Sequence, residues 1–305
     1  MIRKKVVVNL ARVRDRLVPR VVETQIDKMV FNFTAPRLKK QVLLHSKLDG
    51  SPVFCIVHYN APDYLLLNIS QIELLYPKSK IYVLDNGSQR VNIDAVVKGL
   101  KRYNNITLFA ASTECPNWQT RIGADRFLYS HAKGLQFLLN YAVEQQDEII
   151  VFLDQDCILS RNIDDLFAKF GKNVLLIGAR LIDSLVHASF MILQPKRINK
   201  LFGKFSLFHE HTSSHEPYHG LCFKAKGKIL FLEGKGHDEI PFLTSYSIQD
   251  TIYAWHAWYS SRLNPKMLSE GVSVSWFQTV RKLAYEYMEQ IHEETIHRRL
   301  MPEHG

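Results

Sequence analysis

Glu148-Ile149-Ile150-Val151-Phe152-Leu153-Asp154-Gln155-Asp156-Cys157-Ile158 joins an apolar run to two closely spaced acids. The apolar run Ile149 to Leu153 has the length of a buried strand. It stops abruptly at two carboxylates separated by one residue. In an open α/β sheet, ligands bind outside the carboxyl ends of the strands, so these acids belong at the mouth of a cleft. Two such acids, together with phosphate oxygens and water, suit a hard divalent ion that prefers oxygen ligands. The pattern points to a metal-bound nucleoside diphosphate.

Outward from this stretch the chain alternates between strand and helix patterns, which argues for a sheet covered by helices. Val53 to His58 reads as a first strand, and Pro62 opens a helix through about Leu75, with Leu65, Ile69, Ile72 and Leu75 on one face. Lys80 to Leu84 is a second strand, ended by the turn signal Asp85-Asn86-Gly87-Ser88. Val91 to Tyr103 reads as a helix, Ile106 to Ala110 as a third strand, and residues from about Arg121 to Gln145 as a long helix. The strand entering Asp154 is the fourth, and Val174 to Ile177 the fifth. Further on, Leu185 to Leu193 and Ile229 to Leu232 read as strands, residues 203–220 as loop, and Gln249 to Leu263 and Thr279 to Leu300 as helices. There is no internal repeat and no low-complexity segment.

The chain has 305 residues, 46% hydrophobic and 23% charged, enough for one large folded domain with appendages and too apolar for wholesale disorder. No run of 18 apolar residues is present, so no membrane-spanning helix is expected. Arg3, Lys4 and Lys5 are followed only by Val6 to Val8 before Asn9, too short for the apolar region of a signal peptide. Cys55, Cys115, Cys157 and Cys222 are widely spaced without a CxxC pair; Cys55 and Cys157 read as small core residues, and a reducing, cytosolic location is expected. The net charge of +9 is concentrated: residues 1–50 hold twelve Lys/Arg against four Asp/Glu, and the rest is near neutral. A basic N-terminal extension over residues 1–50 could hold an anionic membrane surface or a nucleic acid backbone, or could be a solvated or oligomer-contacting segment. Pro19 and Pro36 break any single long helix in it.

Three signals fall in order at strand ends: Val57-His58-Tyr59-Asn60, then Val83-Leu84-Asp85-Asn86-Gly87-Ser88, then Leu153-Asp154-Gln155-Asp156. Their order resembles the family 2 glycosyltransferases and the wider GT-A fold, where a "TYN" segment is followed by "VVDNGS" and a "DxD" motif. The likeness covers residues 52–180 well and 180–263 more loosely, and leaves residues 1–50 outside. It implies a three-layer α/β/α sandwich with a mostly parallel central sheet. The expected organisation is an extension over 1–50, a glycosyltransferase domain over 51–265 (nucleotide-donor half 51–180, acceptor half 181–265) and a helical segment over 266–305.

The resemblance also implies roles. His58, Tyr59 and Asn60 would border the nucleotide, and Asp85 would accept hydrogen bonds from base or ribose, its plain alternative being a turn-capping Asp. Asp154 would face ribose and metal, Asp156 would bind the metal, and His256 would complete the ligand set as a neutral imidazole. Arg262, six residues on, can clamp a diphosphate with its planar fork; the plain alternative for Trp255 to Arg262 is an aromatic helix packed on the sheet. His131 shares a helix face with Leu135 and Leu138, as donor-site lining or as a core histidine. An inverting enzyme also needs a general base. The Glu-Asp pair common in the family after the DxD is absent, and Asp238 is the first candidate, Glu239 the second, with Glu233 and Asp250 remaining. Val186 to Phe190 and Tyr218-His219-Gly220 would edge the acceptor pocket. Mn2+ or Mg2+ is the implied cofactor, a UDP-sugar the first donor to consider, and a glycan or lipid-linked acceptor, as in polysaccharide biosynthesis, the implied partner. The basic arm would make the protein peripheral at the cytoplasmic membrane face.

Two rival readings stand beside this one. Sugar-phosphate nucleotidyltransferases also bind metal through Asp on an α/β sheet, but carry a Gly-rich first loop where this chain has His58-Tyr59-Asn60-Ala61-Pro62. A non-enzymatic nucleic-acid-binding protein built on the basic arm is opposed by the near-neutral body and the acidic cleft.

Overall fold

The computed structural model describes residues 40–44, 52–111, 126–182, 185–202, 222, 225, 227–258 and 271–300. Cys115, Tyr218, His219, Arg262 and residues 1–39 lie outside the described residues. The apolar runs form the buried strands β2 (Val53–His58), β3 (Lys80–Asp85) and β5 (Ile150–Asp154). Side chains alternate across each strand, and each face finds its own cover. Val53, Cys55 and Val57 join a core with Leu135, Leu138 and Leu139 of helix α3 (Arg126–Glu144). Phe54 and Ile56 pack instead with Leu65, Ile69 and Ile72 of α1 (Pro62–Leu75), and with Val96 and Leu100 of α2 (Arg90–Leu100). Gly134 lets α3 lie close on the sheet, since a Cβ there would meet the Val57 side chain at 3.0 Å.

Beyond these strands come β1 (Lys40–Leu44), β4 (Ile106–Ala111), β6 (Cys157–Leu159), β7 (Leu176–Ile182) and β8 (Leu185–Leu193). The second half adds β9 (Ile229–Gly236), β10 (Leu243–Ile248) and β11 (Thr251–Ala257), with short helices α4 (Asp164–Phe167) and α5 (Pro195–Phe202) and the long α6 (Val274–Leu300). The sheet runs β1-β4-β3-β2-β5-β8-β7-β9-β10-β11-β6. Only β2–β3, β2–β5, β3–β4 and β7–β9 are parallel; the other six pairings are antiparallel. The expectation of a mostly parallel sheet is therefore corrected to a mixed one. Helical crossovers make parallel pairs among β2, β3, β4 and β5, whereas the short connections β7–β8, β9–β10 and β10–β11 make antiparallel hairpins, and β7–β9 is parallel across a longer connection. Residues 1–50 are not wholly an appendage, because β1 pairs antiparallel with β4 at the sheet edge.

Within Gln249 to Leu263, expected as a helix, the described residues 249–258 are not helical, and residues 259–263 lie outside the described residues. Thr251–Ala257 is a strand, paired antiparallel with β10 through a turn at Gln249 and Asp250, and Gln249 adopts φ 53°. Thr251, Ile252, Tyr253 and Trp255 are β-branched or aromatic, and these side chains pack well on a pleated surface. The change matters because alternation puts Trp255 and His256 on opposite faces.

The connection from β5 to β6 is only Gln155 and Asp156, yet five strands separate them in the hydrogen-bonded order. Laid flat at about 4.8 Å per strand, β6 would sit roughly 29 Å from β5, beyond the reach of two residues. The sheet must curl back on itself. The bend falls in β9, whose Ile229 to Leu232 pair with β7 while Glu233 to Gly236 pair with β10. This curl carries β11 to the end of β5.

Helix α6 closes the opposite side. Its Ala284, Met288 and Ile291 pack with Tyr64 and Leu67 of α1. Arg281 grips the Asp63 carboxylate at 2.9 and 2.7 Å, and Gln71 donates to Thr295 at 3.0 Å.

Candidate metal and nucleotide site

Asp154 is the last residue of β5, Asp156 stands two residues on before β6, and His256 projects from β11. Their ligand atoms all lie within 4.8 Å of one another, the one such group of His, Cys, Asp and Glu among the described residues. His256 Nε2 is 3.3 Å from Asp156 Oδ1 and 3.6 Å from Asp154 Oδ2. Asp156 and His256 are buried, at 7% and 3% exposure, so neither is a solvated surface charge.

Main-chain bonds hold this geometry. The intervening Gln155 turns back to Tyr59, accepting from its N–H at 2.8 Å and donating to its carbonyl at 3.2 Å. Asn68 of α1 donates to the Asp154 carbonyl at 3.1 Å, and Gln71 to the Leu159 carbonyl at 2.7 Å. Ala257 N–H donates to the Asp156 carbonyl at 2.9 Å, which locks the turn to β11 beside His256. Asn68 and Gln71 gave no signal in sequence, because polar residues on an otherwise apolar helix resemble solvated positions.

Electrostatics mark the site as cation-seeking. Burial alone would raise the Asp154 carboxyl, but His131, His256 and His187 hold it well below the usual carboxylate range. Burial disfavours a charged His256, and the Asp156 and Asp154 carboxylates overcome it, raising its pKa. His131 Nε2 lies 3.3 Å from Asp154 Oδ1, near enough to help hold that carboxylate charged. Two carboxylates and one imidazole fit Mn2+ or Mg2+ in donor type.

Beside the cluster, the loops after β2 and β3 are knit together. His58 Nδ1 lies 2.9 Å from Asp85 Oδ1, and His58 Nε2 accepts from the Ala61 N–H at 3.3 Å. An accepting Nε2 makes His58 neutral, with its proton on Nδ1 and donated to Asp85. The other Asp85 oxygen accepts from the Ser88 N–H at 3.1 Å. Asn60, at φ 51°, accepts through its side chain from Gln89 N–H at 2.8 Å and Asn92 Nδ2 at 3.0 Å. The structure thus brings His58, Tyr59, Asn60, Asp85, His131, Asp154, Asp156 and His256 to one end of the sheet. Asp85 acts as a turn-capping residue here, with both oxygens engaged inside the loop.

Asp238 and Glu239 are placed differently. They are exposed in the β9–β10 loop, where His237 packs on Trp255 at 5.7 Å and on Tyr287 of α6 at 4.8 Å. That is the face of β11 opposite His256. Glu233 is paired with Arg180 at 2.9 Å, and Asp250 occupies the β10–β11 turn.

On the cluster's own face stand residues that the sequence marked only loosely or not at all. His187 lies 5.6 Å from the His256 ring, and Trp258 lies 4.7 Å from His187 and 4.8 Å from His256. Tyr246 of β10 meets His256 Nδ1 at 3.0 Å and Ser189 Oγ at 2.8 Å. Burial pushes the Tyr246 hydroxyl pKa well above its ordinary value, so it keeps its proton. Nothing in the sequence singled out Tyr246, since its partners come from two other strands, β8 and β11.

No protein-family model matches the chain, and no curated protein matches its sequence. Among solved structures, similar folds include the galactosyltransferase LgtC in complex with donor and acceptor sugar analogues (13% identity, 59% of this chain and 73% of that chain, TM-score 0.39). Another is the mannosyltransferase PcManGT from Pyrobaculum calidifontis with GDP-Man and Mn2+ (14% identity, 94% and 87%, TM-score 0.41). A third is S. aureus TarS (13% identity, 83% and 44%, TM-score 0.43). Likeness this low assigns no activity to this chain, and the functional reading rests on the geometry of its own site.

Proposed function

We propose that this chain is a metal-dependent glycosyltransferase, moving a sugar from a nucleotide-diphosphate sugar to a glycan or lipid-linked acceptor with inversion. A UDP-sugar is the first donor to test. The observation that carries the reading is the convergence of Asp154, Asp156 and His256 beside the loops after β2 and β3. Asp154, Asp156 and His256 would hold Mn2+ or Mg2+, and the bound ion would neutralise the diphosphate charge as the nucleotide leaves.

The chain's own residues do the rest. Tyr59 and Asn60, fixed through Gln155 and the Gln89–Asn92 segment, offer a rigid edge for the nucleotide. His131 adds a donor beside Asp154. Arg262 is proposed for the diphosphate on its chemistry. Asp238 with Glu239 is the proposed acceptor base on chemical grounds alone, since their loop packs away from His256. The domain reading, with an extension, a catalytic domain over 51–265 and a C-terminal helical segment, is proposed with β1 assigned to the sheet.

The test is donor turnover. With Mn2+, one of a panel of UDP-, GDP- and other nucleotide sugars should release its nucleoside diphosphate, and EDTA should abolish release. Pyrophosphate release from UTP without donor hydrolysis would instead support the nucleotidyltransferase reading.

The basic arm is proposed to hold anionic membrane; no helix among the described residues is long and apolar enough to cross one. Because β1 belongs to the sheet, removing residues 1–39 is the cleaner cut, and it takes away ten Lys/Arg against three Asp/Glu. At about 1 kcal/mol per basic residue near an anionic surface, the truncated protein should no longer sediment with phosphatidylserine vesicles. Unchanged sedimentation removes the membrane role.

A further inference from the structure

Strand β8 departs from regular pairing next to the metal cluster. Gly178 of β7 pairs with Met191, but Arg180, two residues on, pairs with Val186, so β8 bulges over His187, Ala188 and Ser189. Bulges next to functional sites re-aim side chains and free backbone groups from the ladder. Here the Ser189 N–H turns into its own bulge and donates to His187 Nδ1 at 3.1 Å. The bulge closes tightly on Gly178, where a Cβ would lie 2.8 Å from the Phe190 carbonyl oxygen.

That single backbone donor sets the direction of every bond that follows. His187 Nδ1 must be an acceptor, so the Ser189 hydroxyl, 2.7 Å away, donates to it. With its proton committed, Ser189 Oγ accepts from the Tyr246 hydroxyl at 2.8 Å. The Tyr246 oxygen in turn accepts from His256 Nδ1 at 3.0 Å. His256 therefore carries a proton on Nδ1 and presents Nε2 to Asp154 and Asp156.

We infer that Ser189 and Tyr246 are positioning residues that fix His256 in the tautomer whose Nε2 lone pair faces the metal. This rests on the metal site proposed above. The relay works against a competitor. With Asp156 Oδ1 3.3 Å from Nε2, an unguided neutral His256 would place its proton on Nε2 and donate it to the carboxylate, blocking the ligand position. Ser189 is fully buried and Tyr246 nearly so, so water does not substitute for either hydroxyl. Orienting partners of this kind usually govern metal affinity as well as ligand direction.

The test uses Mn2+ alone, titrated by electron paramagnetic resonance into the full chain and into Tyr246→Phe, Ser189→Ala, their double variant and Asp156→Ala. Each relay variant should bind Mn2+ roughly 10- to 100-fold more weakly. The double variant should be no weaker than Tyr246→Phe, because one chain is already broken. Long-range 1H–15N NMR of the metal-free protein at alkaline pH should show His256 protonated on Nδ1, shifting toward Nε2 in Tyr246→Phe. If Tyr246→Phe does not fold, Ser189→Ala reads the same relay from its other end. Wild-type affinity in the folded variants, additive losses in the double variant, or an Nε2-protonated wild-type His256 would each overturn the inference. Absence of Mn2+ binding by the wild type would instead remove the metal site on which it rests.

Discussion

Asp156→Ala should abolish Mn2+-dependent release of nucleoside diphosphate while leaving the fold intact. Metal stabilisation of a leaving diphosphate is worth several kcal/mol. Losing about 4 kcal/mol lowers the rate roughly 10³-fold. Backbone groups help hold the main chain at this position. The Asp156 carbonyl accepts from Ala257 N–H at 2.9 Å, and Gln155 stays tied to Tyr59. Loss of the His256 contact and relief of repulsion from Asp154 oppose one another, so the melting temperature should change little. Full metal-dependent activity in a folded Asp156→Ala protein would sink the proposed function.

The largest stability effect is expected far from that site. Lys80, at the start of β3, is paired with Asp147, just before β5, and the Asp147 carboxylate also accepts from the Tyr82 hydroxyl at 3.0 Å. Both charged side chains are almost wholly buried, at 9% and 3% exposure. Lys80→Met leaves the Asp147 charge in the interior without its cation, a loss of about 3–5 kcal/mol by denaturant unfolding. Adding Asp147→Leu should recover much of it, because replacing a whole buried pair by apolar side chains is often neutral. If the double variant is as unstable as Lys80→Met, the loss lies in packing and not in the unpaired charge.

Several parts of this architecture were legible along the chain because their information is local. Val53 to His58, Lys80 to Asp85 and Ile150 to Asp154 are continuous apolar runs ended by polar turn residues, and each is a buried strand. Pro62 opens α1, and Leu65, Ile69 and Ile72 keep one face on the sheet. The segment Thr251 to Ala257 is ambiguous because its aromatics also satisfy helical spacing, and hairpin pairing with β10 across the Gln249-Asp250 turn decides it. The mixed sheet direction is hidden for another reason, since strand direction depends on which strand accepts the ladder, as where β5 meets β8. Asp238 and Glu239 qualify as a base by residue type alone, and type does not say which face of β11 their loop covers.

Burial and turn chemistry within a few residues specify an apolar strand ending in Asp154-Gln155-Asp156 and polar loops at the ends of the two strands beside it. Folding is what brings His256 to the two acids, sets Gln155 against Tyr59, and stands Ser189 and Tyr246 behind His256. Each of these contacts joins residues ten to about a hundred positions apart. Gln155 meets Tyr59 because β2 and β5 are parallel neighbours, whereas His256 reaches the acids because the two-residue link from β5 to β6 makes the sheet curl, a constraint of chain length and strand spacing that no local pattern contains.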